Sequence, residues 1–137
     1  TRFVDDDTQD FLTEMTNEIM AMGPYFRAVV DSLDFFMQRE DPSRVVAMLR
    51  MMQAHTQLNR GILFITVSND TITPAIKQEM AAIADMVCDF KVRTVGSDFE
   101  TSMIVSKFRN APENLSIMVY RVTPEEGITP ETVERIA

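Results

Sequence analysis

Apolar residues follow two rhythms along this chain, and the change falls near residue 85. In the first part, Phe11, Leu12, Met15, Ile19 and Met22 recur at the spacing of one helix face, with Asp7 or Thr8 placed to cap the start and Gly23-Pro24 to stop it. Ahead of this helix Arg2-Phe3-Val4 is a short apolar run that breaks at Asp5-Asp6-Asp7, which predicts a strand. Residues 26–30 predict a buried strand that runs into Asp31-Ser32 and then a loop containing Leu33-Asp34-Phe35-Phe36. Pro42 and Ser43 open a second helix with Val45, Val46, Met48, Leu49 and Met52 as its apolar stripe, and Asn59-Arg60-Gly61 ends it. The continuous run Ile-Leu-Phe-Ile-Thr-Val over 62–67 is too short for a helix, and predicts a central strand covered on both faces. Thr73-Pro74 caps and starts a third helix whose inner face is Ile76, Met80, Ile83 and Ala84.

After residue 85 the period shortens to that of strands. Val87, Cys88, Phe90 and Val92 predict one strand, Gly96-Ser97-Asp98 a turn, and 101–108 and 115–122 two more strands. The pattern is βαβαβα followed by a three-stranded meander. It implies an α/β fold: a mainly parallel sheet flanked by helices, with an antiparallel meander at the C-terminal end. With no internal repeat, linker or low-complexity tract, residues 1–137 are expected to form a single domain.

Composition narrows the function. Thirteen Lys and Arg against twenty-one Asp and Glu leave a net charge of -8, which repels phosphate backbones and argues against nucleic acid as a partner. One cysteine, Cys88, and one histidine, His55, exclude internal disulfides and any zinc site built on several such ligands. Cys88 lies in a strand pattern without a basic neighbour to activate it and reads as inert core; His55, at the flank of a helix stripe, reads as structural. No apolar run approaches the ~20 residues of a membrane span, and the first residues lack the features of a signal peptide. A cytoplasmic location is expected.

Ligands of open parallel sheets sit beyond the carboxyl ends of the strands. Three predicted strands end in polar residues: Asp5 and Asp6, then Asp31 and Ser32, then Ser68, Asn69 and Asp70. Such a group could hold a hydrated Mg²⁺, which needs only one or two carboxylates. Acids in this position commonly cap the next helix or end the ladder, and Asp5, Asp6 and Asp70 are read in that way. Asp31 has no obvious helix start to cap and is the stronger metal candidate. Lys107 and Arg109 form a Lys-x-Arg pair at a strand end, where charge also protects a sheet edge.

Taken in order, these elements resemble RecA-superfamily ATPases, in particular the KaiC-like branch. Arg27-Ala28-Val29-Val30-Asp31-Ser32-Leu33 resembles the Walker B strand ending in Asp-Ser. Residues 41–58 resemble the next helix, 61–69 the strand with a polar sensor at its tip, and Ile83-Ala84-Asp85-Met86-Val87 the segment where an aspartate precedes an apolar strand. Met103-Ile104-Val105-Ser106-Lys107-Phe108-Arg109 is similar to the strand ending in Lys-x-Arg, and 119–128 to the closing strand and turn. By this resemblance Asp31 orients Mg²⁺ and water, Ser32 and Asn69 lie against the nucleotide with Asn69 sensing its γ-phosphate, and Lys107 and Arg109 reach a neighbouring subunit's nucleotide, where cations stabilise transition-state charge.

One part of that machinery is missing from these residues. A phosphate-binding loop requires Gly-x4-Gly-Lys-[Ser/Thr], so that backbone N–H groups close around the phosphates. The four glycines are Gly23, Gly61, Gly96 and Gly127, and even the nearest pair is far too widely spaced. The domain is therefore expected to be incomplete on its N-terminal side, with no cofactor of its own; ATP and Mg²⁺ are expected only if a partner or an upstream segment supplies the loop. The strand missing with the loop would lie between those at 62–67 and 87–92, and the sheet is expected to close over that gap, with the chain forming a homo-oligomer, a dimer or a ring. Three functions fit: a regulatory or assembly module unable to hydrolyse ATP alone; a half-site lending Asp31, Lys107 and Arg109 to a partner that carries a phosphate loop; and a Mg²⁺-dependent receiver-like phosphotransfer domain on Asp5, Asp6 and Asp31. The last wants a lysine after a late parallel strand, and Lys107 falls in the meander instead.

Overall fold

A computed structural model of the chain describes residues 10–131, and the chain divides into two compact units, Thr1–Ile83 and Ala84–Ala137. The strand expected at Arg2-Phe3-Val4, the caps Asp7 and Thr8, and the acids Asp5 and Asp6 lie outside the described residues.

The first unit runs α1 (Phe11–Met20), β1 (Arg27–Val30), α2 (Asp34–Arg39), α3 (Pro42–Leu58), β2 (Ile62–Ile65) and α4 (Pro74–Ile83), with a 3-10 turn at Asn69–Thr71. Helix α1 is capped by Asp10, whose side chain accepts from the Thr13 N–H at 3.0 Å and the Thr13 hydroxyl at 2.7 Å, and which pairs with Arg44 on α3. Asp41 caps α3 by accepting from the Ser43 N–H at 2.9 Å. The helix stripes meet as their periodicity predicts: Leu12, Ile19, Val45, Leu49 and Met52 form a buried cluster with Leu33 and Met37, and Ile76, Met80 and Ile83 of α4 pack against it. The segment expected as a loop after β1 contains α2, which buries Met37 beside the fully buried Leu33.

Strands β1 and β2 are parallel, with Arg27 opposite Ile62 and Val30 opposite Ile65. Ala28, Val30, Leu63 and Ile65 face the helices. The alternate residues Val29, Ile62 and Phe64 are 69%, 42% and 60% exposed, which corrects the expectation that 62–67 is covered on both faces. The continuous apolar run fits a strand between two layers, but the described residues supply one layer only.

The second unit is a four-stranded antiparallel sheet in the order β3 (Met86–Val95), β4 (Asp98–Phe108), β5 (Ser116–Thr123), β6 (Gly127–Glu131). Gly96, at φ 63°, opens the two-residue turn between β3 and β4, where a positive φ matches the twist of a hairpin. One face carries Cys88, Phe90, Val92, Met103, Val105, Met118 and Val122. The other carries the charges, including the cross-strand pair Arg93 and Glu100 at 2.8 Å and the pair Arg121 and Glu131. A bulge interrupts β4: Val87 faces Lys107 and Cys88 faces Val105, so Ser106 has no opposite residue.

The fold is α/β, but among the described residues it is not mainly parallel. Among the described residues two strands pair in parallel and four antiparallel, because 86–131 makes four hairpin-linked strands where three were expected. Among the described residues β2 pairs with β1 and β3 with β4, in separate sheets.

Candidate functional site

Of the polar residues predicted at strand ends in the first unit, Asp31, Ser32 and Ser68 gather where β1 and β2 finish. The Thr66 N–H donates to the Val30 carbonyl at 3.0 Å and the Leu33 N–H to the Thr66 carbonyl at 2.9 Å, which carries the pairing one step past each strand. That step sets the Thr66 hydroxyl against the Asp31 carboxylate, 2.6 Å from Oδ1. Asp31 and Thr66 are both exposed, and the Asp31-Ser32 peptide bond is cis.

Beside this pair lies a second carboxylate that sequence reasoning missed. Asp34, the first residue of α2, accepts through Oδ1 from the Ser68 N–H at 2.9 Å and the Thr71 hydroxyl at 2.8 Å, and through Oδ2 from the Ser68 hydroxyl at 2.7 Å and the Ser32 hydroxyl at 3.0 Å. The Ser68 backbone N–H is the largest of the influences that hold its carboxyl at about 2, against an ordinary 3.8. Ser32 also accepts from the Asp34 N–H at 3.3 Å, so this serine serves the start of α2. The Ser-x-Asp spacing at 32–34 was the available signal, since a short polar residue two positions before an acid can close a local turn with it.

Asn69, the expected phosphate sensor, accepts through Oδ1 from the Lys77 ammonium at 2.9 Å; Asp70 is exposed in the same 3-10 turn. Lys107 and Arg109 belong to the second unit. Lys107 stands opposite Val87, and Arg109 binds Asp85 twice, by an ion pair at 2.7 Å and by its N–H to the Asp85 carbonyl at 2.8 Å.

A Mg²⁺ ion fits the donor set at Asp31. One carboxylate beside a hydroxyl is enough for a cation that keeps most of its water, and both groups are accessible. Among the described residues no three His, Cys, Asp or Glu side chains converge as a ligand cluster, so the site suits a loosely held hydrated ion and not a fully protein-coordinated one.

The remaining reactive side chains are structural. His55 donates from Nε2 to the Met22 carbonyl at 2.9 Å and stacks on Phe26 with ring centroids 5.6 Å apart. Burial, followed by the neighbouring Asp89, pushes the Cys88 thiol up, which keeps it protonated and unreactive. No described helix is long and apolar enough to cross a membrane.

Comparison with solved structures identifies the fold. Residues of this chain superpose on the flagellar accessory protein FlaH from Methanocaldococcus jannaschii with a TM-score of 0.67 at 19% identity, covering 89% of this chain and 54% of that one. The KaiC-like protein PH0186 from Pyrococcus horikoshii OT3 gives a TM-score of 0.61 at 15% identity, over 89% of this chain and 53% of its own. The RecA/KaiC-like resemblance read from the order of motifs is thus met in the fold, and the chain spans about half the length of the structures it matches. No curated protein matches the sequence. The profile of DUF7125, a family of unknown function, matches residues 1–120, and over that span of strand-end acids and paired sheets the chain is a member of the DUF7125 family.

Proposed function

We propose that this chain is a RecA/KaiC-like module that carries the Mg²⁺-orienting side of a nucleotide site without the phosphate-binding side, does not hydrolyse ATP alone, and acts in regulation or assembly. The observation that carries this reading is Asp31: an exposed carboxylate at the carboxyl end of a parallel strand, braced by Thr66, in 137 residues whose glycines cannot form a phosphate loop. The exposed carboxylate of Asp31 supports a hydrated Mg²⁺ there, while nothing beside it among the described residues offers the row of backbone N–H groups that a triphosphate needs. Thermal unfolding with and without Mg²⁺ and ATP tests it. The expected result is that ATP adds no shift beyond that of Mg²⁺ alone; a further rise in Tm with ATP that Asp31→Ala removes overturns the reading, because a ligand that binds the native state must stabilise it.

A second reading, the half-site, is favoured by the same exposure of Asp31. In it a phosphate-loop protein supplies the nucleotide, and this chain, as a homo-oligomer or with that protein, lends Asp31, Lys107 and Arg109. Arg109 must then leave its ion pair with Asp85. ATP turnover that appears only on mixing, and falls with Lys107→Ala and Arg109→Ala, supports this second reading; turnover indifferent to both removes it.

A further inference from the structure

We propose that the groove between α1 and α2 is a docking site for a basic, apolar peptide segment of another protein, one in which Lys or Arg alternates with aliphatic residues. This goes beyond the nucleotide reading and rests on none of it. The groove holds about 630 Å³, within the range of sites that take one ligand.

Its lips are aromatic. Phe11 of α1 meets Phe35 of α2 edge to face with ring centroids 6.1 Å apart, and Phe35 meets Phe36 in the same way at 5.3 Å. Met15 and Phe36 close the inner side by packing on the core of the unit, whereas Phe11 is 45% and Phe35 42% exposed. Scattered exposed apolar side chains are ordinary, but two adjoining rings at the mouth of a groove form a patch. The faces of such rings attract cations. Arg39, which does not line the groove, already makes this contact, with its guanidinium 4.4 Å over the Phe35 ring.

Charge decides the occupant. Glu14 and Glu18, both exposed, line the groove one helical turn apart on α1, and among the described residues no lysine or arginine lines it. Four residues of helix rise about 6 Å and two residues of extended chain about 6.6 Å. Cations at alternate positions of an extended segment therefore match the two carboxylates, and the residues between them turn the other way, toward the rings of α2. An uncharged segment would strip water from both carboxylates without replacing it, and an acidic one would be repelled. A second copy of this chain is the poorer partner, because each copy carries a net charge of -8.

The test is fluorescence anisotropy of the full chain with a fluorescein-labelled peptide of Leu-Lys repeats, beside Leu-Glu and Ser-Lys versions of the same length. The expected result is saturable binding of the Leu-Lys peptide, at least tenfold tighter than either control. Glu18→Lys is expected to weaken it at least fivefold. Glu79→Lys, the same charge change at an exposed position of α4 outside the groove, is expected to change it less than twofold. Phe11→Leu, which keeps an apolar side chain and removes the ring, is expected to weaken it at least twofold. No saturation, equal binding of the Ser-Lys peptide, or equal losses with Glu18→Lys and Glu79→Lys overturns the proposal. Self-association of the chain that the peptide disperses also overturns it, since a second copy is then the occupant. No nucleotide enters the readout, so it can fail while the reading of Asp31 stands, or stand while that fails.

Discussion

The Thr66 hydroxyl lies 2.6 Å from Asp31 Oδ1, joining the tips of two parallel strands that are 35 positions apart in sequence. Both side chains are exposed, so the bond orients a carboxylate more than it stabilises the fold. Asp31→Asn is accordingly expected to change unfolding free energy by no more than about 0.5 kcal/mol, the usual range for a surface position. Urea unfolding of the two proteins checks this, and a larger loss would make Asp31 a structural residue.

Asp34 should behave in the opposite way. Its carboxyl is held at about 2 instead of 3.8, so the native state favours its ionised form. The stabilisation is fully present above the unfolded value, declines as pH falls below it, and is gone once pH has passed the folded value. Asp10, held at about 2 chiefly by Arg44, adds to the same window. Stability measured between pH 5 and about 2 should therefore fall, and Asp34→Asn should flatten that fall while lowering Tm at neutral pH.

Gly61 is the one glycine at which space is decisive. A Cβ there would lie 2.4 Å from the Phe26 ring, which itself stacks on His55. Gly61→Ala is expected to cost about 1–3 kcal/mol, as overpacking of a well-filled site does. Gly23→Ala, with nothing within 4 Å, is its control.

Leu33 is fully buried between β1 and α2. Leu33→Ala should destabilise by about 3 kcal/mol through lost burial and the cavity left behind, visible as a lower midpoint in urea with little change in slope.

How far the sequence could be read depended on how far apart the interacting residues lie. Helix α4 was legible because Thr73-Pro74 starts it and Ile76, Met80 and Ile83 keep one face; the Ile76 N–H donates to Thr73 Oγ1 at 3.3 Å as a cap should. Helix α2 was not legible, because six residues make fewer than two turns and adjacent Phe35 and Phe36 hide the period. The polar ends of β1 and β2 were legible as a set. The role of Asp34 was not, since Ser68 and Thr71 lie 34 and 37 positions away. The open face of β2 was hidden for another reason: a continuous apolar run reports what a strand is suited to touch, not which chain provides it.

Ser106 acts on β4 like a one-letter insertion in a reading frame. In an unbroken strand Lys107 would follow Val105 and Met103 onto the same side and put an ammonium among apolar side chains. The extra residue shifts the phase, so that Lys107 comes opposite Val87 while Phe108 joins Met86 on the uncharged side. The strand can therefore end in Lys107 because a single serine, left out of the ladder, turns that ammonium away from the greasy surface.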